Sequence, residues 1–253
     1  MRKLIYQGKT KDVYEIDEET SREYQVDKQR TVEFVFKDDV TGTNGIIDPG
    51  ADTLMGKVEG KGYTSLMISN HFFKLLTNAG IPNHYITLTD RNTLLVRKVN
   101  PQLPFEFTCR YKTFGSFLRR YSKFKVDGKP VAYEGQSLEG RVEKSTALGG
   151  LVEPWFKGAK DELTVFDTLV ELGFIKPHEE EEIKRLVKRV GQVIRDDLEK
   201  RKLELVDFKI ELGRINDKLH VTDDISGDGM RVRDGEKFLT QIELYQKMGD
   251  YPL

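Results

Sequence analysis

Between Val206 and Leu212 the chain reads Val-Asp-Phe-Lys-Ile-Glu-Leu, a strict alternation that suits a β-strand and not a helix. A strand here turns Val206, Phe208, Ile210 and Leu212 to one face and Asp207, Lys209 and Glu211 to the other. Three charges in succession on one face are uncommon in a strand that lies on a core. Gly213 to Lys218 supplies turn chemistry through Gly213, Asn216 and Asp217, after which Leu219 to Asp223 can return antiparallel. If the connecting loop has an odd number of residues, Glu211 and Asp223 fall opposite each other on the charged face. Two carboxylates about 5 Å apart repel by roughly 3 kcal/mol at an effective dielectric near 20. A divalent cation would turn that cost into a gain, and one or two carboxylates completed by water and phosphate are what Mg²⁺ with a nucleotide uses. The same pattern also fits a solvated hairpin with a charged outer face.

The rest of the chain bounds the possibilities. Its 253 residues suffice for one large domain or two small ones. Charged residues make up 33%, yet the net charge is −1, which argues against a general nucleic-acid or membrane-surface protein. Cys109 is the only cysteine, so no internal disulfide can form, which fits a reducing compartment. The opening Met1 to Tyr6 runs into polar sequence without a signal-peptide stretch, and no apolar run is long enough to span a membrane. The expectation is a soluble, cytoplasmic protein.

Leu4-Ile5-Tyr6 and Val13 to Ile16 read as two strands around Gln7-Gly8-Lys9-Thr10-Lys11-Asp12, a turn that could lay backbone amides and ammonium groups over phosphates. It is not a Walker A loop: the upstream glycine is missing and the segment opens a strand. Thr31 to Phe36, His84 to Leu88 and Thr93 to Val99 read as further strands. Thr41 to Gly45 and Asp48 to Gly50 read as loops. Gly62 to Ala79 reads as a helix stopped by Gly80-Ile81-Pro82.

Pro101 to Pro104 marks the expected boundary, with a mainly antiparallel β lobe over residues 1–99 and an α+β lobe over 100–253. Beyond it, Phe105 to Arg110 is strand-like, and Arg110, Lys112, Arg119 and Arg120 gather positive charge beside Ser116, as a phosphate site or a basic surface turn. Phe124 to Thr146 reads as a polar surface excursion. Glu179 to Lys202 is a second long helix, acidic at its start and basic at its end as the helix dipole favours. The four histidines show no metal-ligand spacing and read as structural or surface residues. No serine sits in a nucleophile elbow.

Several motifs in order then match one family. Tyr6-Gln7-Gly8-Lys9-Thr10-Lys11-Asp12-Val13-Tyr14, Ala79-Gly80-Ile81-Pro82, Val96-Arg97-Lys98-Val99, Glu106 to Ser116, Leu205 to Glu211 and Asp223 to Arg231 resemble the signatures of the SAICAR synthetases, nearly end to end. The resemblance implies a two-lobed α+β fold, with an antiparallel-sheet N-terminal lobe and an ATP-grasp-like C-terminal lobe enclosing ATP in the cleft. It implies an ATP-dependent ligase of purine biosynthesis that joins a phosphoribosyl-aminoimidazole carboxylate to aspartate through an acyl phosphate, with ATP and Mg²⁺ as cofactors. Gly8, Lys9, Lys11, Val13, Lys98 and Glu211 would contact the nucleotide, and Glu211 and Asp223 would hold Mg²⁺. Arg110, Ser116 and Arg231 would grip the substrate phosphate. Lys209 and Asp228 would line the substrate pocket and, with Lys11, serve the chemistry. A homodimer is also implied.

The chain departs from the family pattern on the substrate side. Tyr111 and Lys112 stand where Asn and Arg are usual, Gly227 replaces a proline, Arg233 replaces an aromatic residue, and the acidic signature near Trp155 to Glu162 is reduced to Asp161. A lysine cannot reproduce an arginine fork. A diverged ligase acting on another phosphorylated carboxylate, and a small-molecule kinase, therefore stand as alternatives, with a non-catalytic nucleotide-binding module disfavoured by the intact Glu211 and Asp223.

Overall fold

The computed structural model describes residues 3–43, 46–47, 53–121, 125–126, 129–130, 132–133, 136–137, 145–158 and 161–249. The alternating stretch lies in the strand Glu204–Ile215, which occupies the middle of a seven-stranded antiparallel sheet. The order across that sheet is Glu162–Leu163, Ala147–Phe156, Gln102–Lys112, Glu204–Ile215, Met230–Asp234 and Lys237–Phe238, with Lys218–Thr222 pairing the far end of the central strand. The expected face division holds from Asp207 to Leu212, but at an irregularity between Leu205 and Asp207 it is Leu205, not Val206, that joins the larger core. Phe208, Ile210 and Leu212 point into the core with Phe105, Phe107 and Cys109 of the neighbouring strand. Beneath them the helix Glu179–Lys200 supplies Ile183, Val187, Val190, Ile194 and Leu198, its one apolar stripe. Each such buried side chain contributes about 1.5–3 kcal/mol relative to exposure.

A second, five-stranded antiparallel sheet runs Lys3–Gln7, Lys11–Glu15, Thr31–Phe36, Thr93–Arg97, Tyr85–Asp90. Its strand Thr93–Arg97 is followed in the chain by Gln102–Lys112, the first strand of the larger sheet. Pro104 lies inside that strand, where its carbonyl accepts from the Lys157 N–H at 3.1 Å. The helix Lys61–Asn78 belongs to both cores. Leu66 and Met67 pack with Val32, Phe36, Leu94 and Val96, while Ile68, Phe72, Phe73 and Leu76 join the larger cluster. Among the described residues no helix is long and apolar enough to cross a membrane.

Several elements differ from their sequence-based expectation. The turn after the central strand is only Asn216-Asp217, both with positive φ (50° and 60°), the conformation a tight hairpin demands. Gly213 to Ile215 therefore stay in the strand, and the even loop pairs Glu211 with Thr222 rather than with Asp223. Thr41–Thr43, expected as loop, belong to the strand Asp39–Thr43 paired with Thr53–Lys57; residues 44–45 and 48–50 lie outside the described residues. Most of the Phe124–Thr146 excursion also lies outside them. The strand Ala147–Phe156 had not been expected, because Gly149, Gly150 and Pro154 mask its alternation. The helix Gln241–Met248, beyond the expected elements, carries a complete capping box of Thr240 and Glu243.

Candidate active site

A cleft of about 720 Å³ opens between the two sheets. Gly8, Lys9, Lys11, Val13 and Lys98 line it from the first sheet, and Lys209, Glu211, Asp223 and Asp228 from the second. Nine of the residues singled out by sequence thus share one cavity.

The hairpin Lys3–Gln7 to Lys11–Glu15 forms one wall. Its turn is closed by the Gly8 N–H, which donates to the Lys11 carbonyl at 3.0 Å. A Cβ on Gly8 would lie 2.4 Å from that carbonyl oxygen, so the turn admits only glycine. Lys37 braces it from behind, donating to the Gly8 carbonyl at 2.6 Å and to Asp12 at 2.9 Å.

Lys11 points inward and is buried. Its ammonium lies 2.8 Å from Asp223 Oδ1 and also pairs with Asp224. Burial works against its charge, but the two carboxylates outweigh burial and raise its pKa, keeping it an ammonium. Burial alone would raise the Asp224 carboxyl too, yet Lys11 and the Ser226 hydroxyl hold it at about 2.

Asp223 reaches this position by leaving the ladder. It follows the last residue of Lys218–Thr222 with a φ of 65°, which swings it into the cleft. His84 Nε2 contacts its carbonyl at 3.0 Å, and the Val221 N–H donates to the Pro82 carbonyl at 2.9 Å, so the Ala79-to-Pro82 turn locks this corner. Burial pushes the His84 pKa down to about 3, so the ring is neutral and its Nε2–H donates. His84 lines the cleft, and its ring nitrogen is engaged by backbone.

Glu211, on the adjacent strand, meets the Lys157 ammonium through one oxygen and accepts from Gln102 Nε2 at 2.9 Å through the other. Burial and the nearby Asp223 carboxylate push its pKa up to about 7. Glu106 lies directly across from Glu211 in the neighbouring strand, and the Lys209 ammonium sits 2.8 Å from it. Burial raises Glu106, and Lys209 opposes the rise. The acidic loop beyond Asp223 lies along one face of the helix Lys61–Asn78. There Ser69 accepts from the Ile225 N–H at 3.2 Å, Ser65 donates to Asp228 at 3.2 Å, and the fully buried Lys61 pairs with Asp228. Lys61, Ser65 and Ser69 recur every four residues, a polar stripe on a helix read only for its apolar one.

Arg110, Ser116 and Arg231 come together outside this cavity, around Asp207. Arg110 donates to Glu153 at 2.6 Å, to Asp207 at 3.0 Å and to Ser116 Oγ at 3.0 Å. Arg231 reaches both Asp207 oxygens at 3.1 Å. Arg110 is buried and fully engaged, whereas the Arg231 side chain is 20% exposed. The two departures nearby share one partner: Lys112 lies 3.3 Å from Glu204, and Arg233 pairs with the same carboxylate while donating to Ser145 at 3.2 Å. The glycine at 227 sits close to Gln241: a Cβ there would stand 3.2 Å from the Gln241 Cα and would push its side-chain oxygen aside.

Lys157, Gln102, Asp224, Glu106, Lys61 and Asp207 had not been assigned to the site from sequence, apart from the strand positions of Glu106 and Asp207. Lys157 follows a strand whose pattern is interrupted, and Lys61 precedes the apolar stripe of its helix.

Comparison with known proteins accords with this architecture. A family model described as SAICAR synthetase matches residues 4–247. The phosphoribosylaminoimidazole-succinocarboxamide synthase of Clostridium tetani (strain Massachusetts / E88) is 36% identical over 241 residues, covering 92% of this chain and 93% of that protein. A SAICAR synthetase (Type-2) solved in complex with ADP superposes with a TM-score of 0.74 at 26% identity, covering 98% of this chain and 92% of that one. The crystal structure of the synthase from Ehrlichia chaffeensis gives a TM-score of 0.75 at 22% identity, with the same coverage, and so supports the fold. The chain belongs to the SAICAR synthetase family.

Proposed function

We propose that this chain is an ATP-dependent C–N ligase that joins the carboxylate of carboxyaminoimidazole ribotide to the amine of L-aspartate, a step of purine biosynthesis. The γ-phosphoryl group of ATP passes to a carboxylate oxygen, leaving ADP. The aspartate amine then attacks the acyl carbon, the bond to the phosphorylated oxygen breaks, and phosphate departs as the amine gives up its proton. The observation that carries this reading is the convergence of Lys11, Glu211 and Asp223 in one cleft, beside a turn that only glycine can close.

In this reading the segment 1–99 is the lobe that covers the nucleotide and 100–253 the lobe that carries metal and substrate. Gly8, Lys9 and Lys11 present amides and ammonium groups to the phosphates, with Val13 and Lys98 along the same wall. Glu211 and Asp223 offer hard carboxylate oxygens to a cation, and their mutual repulsion supports this reading. The donor set fits Mg²⁺, which when bound supplies charge neutralisation on the transferring phosphoryl group. Of the Arg110, Ser116 and Arg231 group, the partly exposed Arg231 offers its guanidinium to the ribotide phosphate, with Arg110 holding Ser116 and Asp207 in place behind it. Asp207 and Glu211 are four residues apart on one strand, about 13 Å at about 3.3 Å per residue, roughly the length of a phosphoribosyl-imidazole carboxylate. Lys209 and Asp228 lie along that span. Shelter from water, which an acyl phosphate needs, comes from the two facing sheets.

Incubation with ATP, Mg²⁺, carboxyaminoimidazole ribotide and aspartate tests the proposal. The expected result is the succinocarboxamide with equal ADP and phosphate. Phosphate release without amide product would sink it, and a phosphorylated end product would favour a kinase.

A further inference from the structure

Both carboxylates assigned to the metal already carry a cation of the chain's own. The Lys157 ammonium pairs with one oxygen of Glu211, and the Lys11 ammonium lies 2.8 Å from Asp223. Together the two ammonium groups match the charge of one divalent ion. They come from opposite walls, Lys11 from the first-sheet hairpin and Lys157 from just beyond the strand Ala147–Phe156. Lys11 is buried and shared with Asp224, so it is tied in place. Lys157 is not: its side chain is 42% exposed and Glu211 is the one carboxylate it pairs with among the described residues. Its backbone N–H is anchored on the Pro104 carbonyl at 3.1 Å, so the ammonium can withdraw to water on its flexible stem without moving the strand.

We propose that Lys157 is a built-in counter-ion for Glu211, holding that carboxylate beside Asp223 in the metal-free cleft and releasing it when a divalent cation enters. The inference rests on the metal reading of Glu211 and Asp223 given above. Its physical basis is repulsion between two carboxylates in a poorly solvated cleft, which without a clamp would drive them apart. The clamp keeps the ligand pair formed, but the entering ion must compete with it. Once displaced, the ammonium lies free at the cleft wall that also carries Glu106 and Lys209, where it can meet an anionic group of a substrate.

The test is Mn²⁺ binding to the full-length, nucleotide-free protein, followed by electron paramagnetic resonance, since Mn²⁺ accepts the same oxygen ligands as Mg²⁺. Lys157→Met removes the competitor and keeps the bulk of the stem. It is expected to bind Mn²⁺ about tenfold more tightly than wild type, which corresponds to about 1.4 kcal/mol. It should also melt at a lower temperature without metal, and saturating Mn²⁺ should abolish that difference. Lys157→Arg keeps the charge and should retain weak, wild-type-like Mn²⁺ affinity. Unchanged or weaker Mn²⁺ binding by Lys157→Met, with binding lost in Glu211→Gln, would overturn the counter-ion and leave the metal site standing. Wild-type Mn²⁺ binding by Glu211→Gln would overturn the metal reading itself.

Discussion

His84 donates through Nε2 to the carbonyl of Asp223 at 3.0 Å, a contact between residues 139 apart in the chain. That hydrogen bond secures the one residue of the hairpin that must leave the β-ladder for its carboxylate to enter the cleft. The ring is wedged edge-on against Phe34 with centroids 5.3 Å apart, and lies at the same distance from Phe73, so it cannot turn away.

The buried histidine makes stability depend on acid pH. Its pKa is about 3 in the folded chain against 6.5 for the free side chain, so the unfolded state binds more protons between those values. Stability attributable to His84 is complete above pH 6.5 and declines as pH falls toward 3. Urea titrations of wild type and His84→Phe across pH 4–7 should show the steeper decline in wild type. The substitution should also lower turnover by loosening Asp223, even at pH 8 where the histidine is neutral in both states.

Glu211→Gln and Asp223→Asn are each expected to abolish turnover while the fold remains, costing several kcal/mol of transition-state stabilisation, on the order of a thousandfold or more. Glu211 also has a stability signature of opposite sign to His84. Its folded pKa of about 7 exceeds the usual 4.5, so its contribution is full below pH 4.5 and lost as pH rises through 7. Metal-free Glu211→Gln should therefore be more stable than wild type above pH 7, with the gain shrinking toward pH 4.5. Near-normal turnover of either purified variant would refute the assignment.

Gly8→Ala should open the phosphate turn, because the new Cβ would collide with the Lys11 carbonyl. A displacement of this size at a positioning element costs about tenfold to a hundredfold in rate. Steady-state kinetics should show the loss in kcat/KM for ATP, with little change in melting temperature, since the strand Lys3–Gln7 that leads into the turn is exposed along its whole length.

Arg110 and Arg231 should separate structure from binding although both touch Asp207. Arg110→Ala removes the buried cation between Asp207 and Glu153, leaving them only the partly exposed Arg231 and Arg120, and is expected to destabilise by about 3 kcal/mol. Arg231→Ala removes a partly exposed partner and should act mainly by raising the KM for the phosphorylated substrate. Thermal melts and kinetics on the two variants would distinguish these outcomes, and equal destabilisation would contradict them.

Where the pattern is local, the sequence was a reliable guide. The two faces of the central strand from Asp207 to Leu212, the stripe of Glu179–Lys200 and the helix ending near Ala79 all follow from the pleat or the helical repeat. The capping box at Thr240 is equally local, but the helix it opens is only eight residues long, too short for a clear apolar repeat. Ala147–Phe156 was hidden for a physical reason: glycines and a proline erase its alternation, and its pairing with Gln102–Lys112 is what makes it a strand.

The sequence by itself determined that Glu211 carries its charge on the face opposite Phe208 and Ile210, because the side-chain period of a strand is set by the backbone. It could not determine what stands beside that charge. The expected opposition of Glu211 and Asp223 failed by one residue of register, and a positive φ held by His84 restored their proximity by another route. Likewise Lys157 reaches Glu211 across 54 residues, and Lys11 reaches Asp224 across 213. Partners of that kind depend on sheet order, register and which helix lies underneath. Those are settled by burying the whole core at once, and only the tertiary structure decides them.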